Sequence, residues 1–450
     1  MEEKKVPRRI LQSLIASVGA GVVPRAGAPY IAIGRDDEVS ALLGDLENVA
    51  EGGASMRFVI GRYGSGKSFL IQLVRGYAAE RGFVTADADL SPDRRLCGAK
   101  GTGRATFREL ISNLATKSSP DGGALSSILI RWLSSLQTEV AAEGISVDSP
   151  DFARAVERRV FSVVHELESH VGGFDFAVVL SAYYRAVRDG DEEKQSFCLR
   201  WLRAEFSTKS EAKQRLRVSS IIDDDNWYDY IKLYGVFFRR IGYKGFLVLI
   251  DECVNLYKIS NRISRENNYE KILSMFNDTL QCKAEGLMLI MGGTPQFLED
   301  SRRGLFSYEA LRSRLFDGRF TSAEYKNLIG PVIRLRPLSK QELYALILRI
   351  TRLHAQYYGK DVNITENEMA EFLDLCMKRA GADAMITPRE IIRDYMSVLN
   401  VLMQNPEATV EGLLSAGAVT LNHDDAPGEE RDEAKYAPTE HDFKLEDIEL

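Results

Sequence analysis

The sequence lacks most of what would take a chain out of the ordinary globular class. Its five cysteines, Cys97, Cys198, Cys253, Cys282 and Cys376, are scattered. They offer no metal-ligand spacing, and an odd set of isolated thiols suits a reducing compartment. No apolar run approaches the roughly 20 residues needed to cross a bilayer. Behind Lys4, Lys5, Arg8 and Arg9, the stretch from Ile10 to Val18 is short, is broken by Gln12 and Ser13, and has no cleavage pattern of an export signal. The expectation is a soluble, cytoplasmic chain without a membrane partner. Strong charge is lacking too, outside one segment. The formal net charge is −7, but between Asp424 and Leu450 eleven acidic residues stand against three basic ones. That segment carries the whole imbalance, so the body is nearly neutral and its charge neither requires nor excludes nucleic-acid contact.

What is present is enough apolar material for full cores. The 450 residues are 45% hydrophobic and 9% aromatic, enough for two or three domains. The most informative stretch is Phe58-Val-Ile-Gly61-Arg-Tyr-Gly64-Ser-Gly66-Lys67-Ser68-Phe69-Leu70. An apolar run leads into Gly-x-x-x-x-Gly-Lys-Ser and on into helical periodicity, the strand, loop and helix setting of a P-loop. Gly61, Gly64 and Gly66 are expected at positive φ, turning consecutive N–H groups toward a phosphate at a helix start. Lys67 would reach the β- and γ-phosphates and the Ser68 hydroxyl a Mg²⁺ ion. Contacts to ATP then run through Gly61, Arg62, Tyr63, Gly64, Ser65, Gly66, Lys67, Ser68 and Phe69.

A second chemical element lies far downstream. Gly245-Phe-Leu-Val-Leu-Ile250 reads as a buried strand delivering Asp251 and Glu252 at its carboxyl end, where such sheets bind ligands. This is a Walker B arrangement, with Asp251 on Mg²⁺ and Glu252 polarising the attacking water. The interval between the two elements is far longer than a P-loop core needs. It reads as an insertion with helices at Phe107 to Leu114, Leu125 to Val140, Phe152 to Leu167, Phe174 to Val187 and Trp227 to Phe238.

Several shorter patterns resemble AAA+ ATPases of the Orc type. Ile33-Gly34-Arg35-Asp-Asp-Glu38 is similar to a motif that lies against the adenine, implicating Gly34 and Arg35. The strand Leu287 to Met291 is followed by Gly292-Gly-Thr294-Pro295, where Thr294 is either the polar sensor of that family or a strand-ending turn. Tyr308-Glu-Ala-Leu-Arg312-Ser-Arg314-Leu-Phe resembles the helix carrying an arginine finger, with Arg314 first and Arg312 second, or else a solvated basic face. Ser339 and Glu342 are spaced as a capping box at what resembles the junction to a helical lid, with helices near Lys340 to Tyr357, Glu366 to Arg379 and Pro388 to Met403. Arg389 sits where the family carries a second sensor, and is otherwise a surface arginine near a helix start.

The expected architecture is α/β. An N-terminal helix and linker (1–30) precede a P-loop AAA+ core, a parallel sheet with flanking helices over 31–103 and 241–335. An inserted helical region occupies 104–240, a lid 336–421, and an acidic tail, expected to be disordered, 422–450. Longer strings, among them Ala86-Asp-Ala-Asp-Leu-Ser-Pro-Asp-Arg-Arg-Leu96, Ile222-Asp-Asp-Asp-Asn-Trp-Tyr-Asp229 and Asp251-Glu-Cys-Val-Asn-Leu-Tyr-Lys-Ile259, resemble the ATP-binding proteins of bacterial BREX phage-defence systems. The resemblance implies an ATPase that works with other BREX defence proteins, as a homo-oligomer whose head-to-tail contacts close into a ring, a hexamer by family geometry, or continue as a helical array. The terminal DNA-binding module of Orc-type proteins is not found. If DNA is met, Arg200, Arg203, Lys209, Lys213, Arg215 and Arg217 of the inserted region are the candidate contacts, or they are a solvated helix face. The alternative to an active ATPase is a nucleotide-dependent switch that recruits partners and hydrolyses little.

Overall fold

The computed structural model describes residues 6–25, 27–98, 101–316, 327–379 and 387–415. The acidic stretch 422–450 lies outside them. The chain divides into two compact units: Met1–Gly34 with Pro337–Leu450, and Arg35–Arg336. In chain order the elements begin with α1 (Arg8–Gly19), α2 (Asp36–Ala50), β1 (Ser55–Ile60), α3 (Lys67–Glu80) and β2 (Val84–Asp89). There follow α4 (Thr102–Ser112), α5 (Leu125–Ala142), α6 (Pro150–Leu167), α7 (Gly173–Asp189), α8 (Glu192–Leu202), α9 (Lys209–Leu216) and α10 (Trp227–Arg240). Then come β3 (Phe246–Asp251), α11 (Val254–Tyr257), α12 (Arg262–Leu280), β4 (Leu287–Gly293), α13 (Pro295–Glu299), α14 (Glu309–Leu315) and β5 (Val332–Arg334). The last helices are α15 (Lys340–Tyr358), α16 (Glu366–Arg379), α17 (Pro388–Gln404) and α18 (Val410–Ser415).

The second unit is built on a parallel sheet of order β2-β3-β4-β1-β5. Parallel strands need crossovers, and crossover helices cover both faces, so the strands are apolar on both sides. The period-2 alternation assigns each residue to a face. Val59, Leu247, Leu249, Met288, Ile290 and Ile333 share a core with Leu42, Leu46, Leu70 and Val74 of α2 and α3. Phe58, Ile60, Val248, Ile250, Leu289 and Met291 belong to the larger core on the other face.

That larger core is continuous with the helices between β2 and β3. Its spine is α10, buried on nearly every side through Trp227, Tyr228, Tyr230, Ile231, Leu233, Tyr234, Val236, Phe237 and Phe238. A helix apolar all round belongs inside a protein. Edge-on ring contacts knit it to its neighbours: Phe176 to Tyr234 at 5.2 Å, Trp132 to Phe237 at 5.4 Å, Trp201 to Tyr230 at 5.5 Å. Helices α11, α12 and α13 were not foreseen, and α8 and α9 only as helical sequence without bounds. In α12 the buried positions include Arg265 and Asn268, which blurs the apolar periodicity.

Asn268 explains two of the strings noted above. It is fully buried, its Oδ1 accepts from the amides of Leu96 and Cys97, and its Nδ2 donates to the carbonyls of Cys97 and Ser264. Trp227 Nε1 donates to Leu96 O at 3.0 Å, and Asp224 accepts from the amides of Gly101 and Arg104 at the start of α4. The segment after β2 and the Asp-rich lead into α10 are therefore one hydrogen-bonded assembly. Replacing Asn268 with Ala strands buried backbone groups at about 1–3 kcal/mol each, and chemical denaturation should show a loss of roughly 2–4 kcal/mol.

In the first unit α1 packs against α15 and α17, burying Leu11, Leu14, Ile15 and Val18. Capping boxes start both partner helices, Ser339 with Glu342 and Thr387 with Glu390. His354 of α15 is fully buried, bonded through Nε2 to Asn400 Oδ1 at 3.1 Å, with Tyr358 beside its ring. Burial pushes its pKa down. As pH falls below the unfolded value of about 6.5 toward that lowered value, the unfolded chain takes up a proton that the folded one refuses, so stability is lost. All three tryptophans, Trp132, Trp201 and Trp227, lie in the second unit. Between pH 8 and pH 5, thermal melting followed by circular dichroism should therefore gain an early helical transition that tryptophan emission does not report, and His354→Gln should weaken it.

Candidate functional site

The register of the sheet brings four strand ends level. Ile60 pairs with Gly293, and Asp89 with Asp251. At this edge the chain leaves β1 through a glycine loop into α3. Gly64 and Gly66 have φ of 74° and 89°, which only glycine takes without strain. Gly61 is not among the residues at positive φ, contrary to expectation. It is required for space, since a Cβ there would meet Ser65 Oγ at 2.3 Å. The Ser65 hydroxyl is buried and makes no hydrogen bond among the described residues. Arg62 and Tyr63 stand exposed at the loop tip, and Phe69 is half-buried in the first turn of α3. Lys67 folds back over the loop, its Nζ donating to the carbonyls of Gly61 and Arg62 at 3.0 Å each.

Ser68 joins this loop to the end of β3. Its Oγ donates to Asp251 Oδ2 at 2.7 Å across 183 residues of sequence. Asp251 is 8% exposed, and its Oδ1 accepts from the Glu252 amide at 2.8 Å. Gly292 of β4 makes room for it, because a Cβ there would lie 2.2 Å from Asp251 Oδ1. A hydroxyl and a carboxylate oxygen in contact are a donor set for a hard cation that keeps its other positions for water or phosphate oxygens. Among the described residues no group of three or more His, Cys, Asp or Glu side chains could hold a metal, so an all-protein cage is not the alternative.

Glu252 has φ of 55°, a left-handed conformation that costs a side-chain-bearing residue about 1–2 kcal/mol. Its side chain reaches solvent, yet its pKa is raised, first by desolvation and then by the charge of Asp251, against the opposing charge of Lys67. Two residues near it were missed in the sequence. Asp89 ends β2 beside Asp251, and its pKa is raised by burial and by that neighbour. Asn255 donates to the carbonyls of Leu90 and Glu252, tying the turn after β3 to the end of β2. Both lie in strings that carry the family resemblance, but periodicity marks strands and not which strand ends become neighbours, so neither could be placed at the site.

The remaining candidates are spread more widely. Thr294 is buried at the end of β4, between the β1 and β3 ends, and its Oγ1 accepts from Phe297 N as the cap of α13. Arg314 on α14 is exposed and donates to Asn277 Oδ1 and Ala310 O; Arg312 is exposed on the same helix. Arg389 lies in the first turn of α17, in the other unit, near Gly21. Gly34 packs on Glu342, while Arg35 donates to Ser65 O and Arg336 O. Of the cations considered for DNA, Arg200 pairs with Glu211 and lies over Phe206, and Arg215 pairs with Glu193 and lies over Phe197. Arg203 and Arg217 close α8 and α9, Lys209 opens α9, and Lys213 lies in its last turn. No helix among the described residues is long and apolar enough to cross a membrane.

Comparison with curated proteins gives no match. The model of one protein family, described as BREX system ATP-binding protein BrxC/D, matches residues 6–417. That span takes in the glycine loop, the Ser68–Asp251 contact and Glu252, and supports ATP binding and a role in BREX defence. The chain belongs to the BREX system ATP-binding protein BrxC/D family.

Proposed function

We propose that this chain is a Mg²⁺-dependent ATPase of the AAA+ type, which couples ATP-driven assembly to remodelling of DNA or partner proteins within a BREX complex. The observation that carries the reading is the Ser68 Oγ to Asp251 Oδ2 hydrogen bond at 2.7 Å. It joins the glycine loop to the carboxyl end of β3, the pairing that a nucleotide-binding fold of this kind needs. Bound there, Mg²⁺ supplies charge neutralisation for the β- and γ-phosphates, with Ser68 and Asp251 as its protein ligands. Lys67 exchanges the Gly61 and Arg62 carbonyls for phosphate oxygens, and the loop amides face the same charge. Glu252 orients and polarises the attacking water from its strained position beside Asp251. Thr294 assists from the neighbouring strand end. In the same reading the helices of 336–421 are the lid and Arg389 its second sensor, and the helices of 104–240 are the insertion that meets partners.

Arg314 favours a regulated form of this activity. In the single chain it is bonded to Asn277 and Ala310, so a finger role requires release toward a neighbour's γ-phosphate, where it offsets developing charge. Such a head-to-tail contact closes into a ring, a hexamer in this reading, or continues as a helical array. The switch alternative, with ATP setting an assembly-competent state and turnover secondary, draws on the same tether. Any DNA contact is weak per subunit, because Arg200 and Arg215 are already paired, and it adds up across the assembly.

Lys67→Ala should abolish ATP binding. Glu252→Gln should keep binding and lower phosphate release by about 10²–10⁴-fold; equal release by Glu252→Gln and the parent protein removes the catalytic assignment. Sedimentation of Glu252→Gln with Mg-ATP should show an ATP-dependent assembly that Arg314→Ala does not change in size but leaves inactive in the otherwise unsubstituted protein. A strictly monomeric species at micromolar concentration would eliminate the finger.

A further inference from the structure

Arg35 has a second role open to it beside a place against the adenine. Its side chain is buried, and one nitrogen, Nη2, donates to Ser65 O and to Arg336 O, both at 2.8 Å. Arg35 and Arg336 are the first and last residues of the second unit, so the backbone passes between the units at 34–35 and at 336–337. A single guanidinium therefore ties the floor of the glycine loop to both crossings. Each crossing is also held on its own side. Leu335 N donates to Ile60 O at 2.7 Å, anchoring the outgoing chain to the strand that feeds the loop. In the first unit, Gly34 has φ of 68°, and a Cβ there would lie 2.3 Å from Glu342 Oε1. The other oxygen of Glu342 accepts from Ser339 N at 2.6 Å in the capping box of α15.

The Ser65 carbonyl and the Gly66 N–H belong to one peptide plane and point in opposite directions. A phosphate that aligns the Gly66 N–H with the other loop amides must turn the Ser65 carbonyl to the opposite side, where the Arg35 guanidinium lies. Arg35 thus reads the orientation of that plane from behind, through the Ser65 carbonyl. A ligand shifts a conformational equilibrium only through a contact that differs between its states, and nucleotide acts here by holding the peptide plane in the orientation that this hydrogen bond already has.

We propose that Arg35 is a positioning residue that couples nucleotide occupancy of the glycine loop to the two backbone crossings between the units. The inference rests on the nucleotide-binding reading above. Amide hydrogen exchange of the full chain tests it, in the Glu252→Gln background with and without Mg-ATP. With Arg35 present, exchange should slow on adding ATP in three places together: 61–68, 34–36, and the Arg336 and Leu338 amides. With Arg35→Gln, ATP binding should weaken roughly tenfold, since a charge-assisted bond to the loop is lost. At saturating ATP the variant should still be protected at 61–68, while the crossings return to their nucleotide-free rates. Crossings that respond to ATP equally in the Arg35→Gln variant, or that ignore ATP in the Arg35 protein while 61–68 responds, overturn the coupling. No response at 61–68 in the Arg35 protein instead refutes nucleotide binding itself. If Arg35→Gln does not fold, Arg35→Lys, which keeps the charge but lacks the planar fork, is read the same way, and the Arg35 protein alone still decides.

Discussion

Strand β3 must be buried on both faces and still end in two carboxylates, and much of the second unit answers to that demand. A carboxylate at 8% exposure is tolerated only when its oxygens are occupied. Asp251 meets the condition with the Ser68 hydroxyl on one oxygen and the Glu252 amide on the other. The first partner fixes where α3 must begin. The second pulls the backbone of Glu252 into its left-handed turn. Gly292 on the neighbouring strand is the empty volume the arrangement needs. Four local oddities, a serine at a helix start, a strained glutamate, a glycine inside a strand and a buried acid, are consequences of one placement.

The same demand accounts for the bulk around the sheet. Parallel neighbours β2 and β3 cannot be joined by a hairpin, and here the crossover includes α4 to α10. Because α10 is buried on nearly every side, the helices beyond it share the core of the sheet. The Asn268 and Asp224 hydrogen bonds then hold the segment leaving β2 against α12 and α10, close to the strand ends where the candidate site lies.

Much of this was legible in the sequence, for identifiable reasons. Strand β3 announces itself by an unbroken apolar run, the glycine loop by three glycines before Lys67, and α15 and α17 by side chains at capping spacing. What stayed hidden depended on partners distant in the chain. Helix α12 buries Arg265 and Asn268, whose partners are backbone groups unknowable from the helix itself. Asp89 gains its meaning only when β2 pairs with β3, and Gly61 proved to be a matter of volume rather than dihedral angle. For Arg35 the resemblance offered a place against the adenine, and what no motif could give is its pair of hydrogen bonds to the carbonyls of Ser65 and Arg336.

The construction of the first unit from both sides of the second sets an order of events at the ribosome. Helix α1 is made early, with Leu11, Leu14, Ile15 and Val18 on one face, but part of its cover, α17, is made only after the whole second unit. At translation speeds of about 5–20 residues per second the wait is on the order of 20 to 70 s. During that time the sheet unit can fold completely while α1 keeps an oily face in water. The emerging chain therefore carries an apolar segment whose cover arrives only near the end of the described chain, and the glycine loop can form before the unit bearing Arg389 exists.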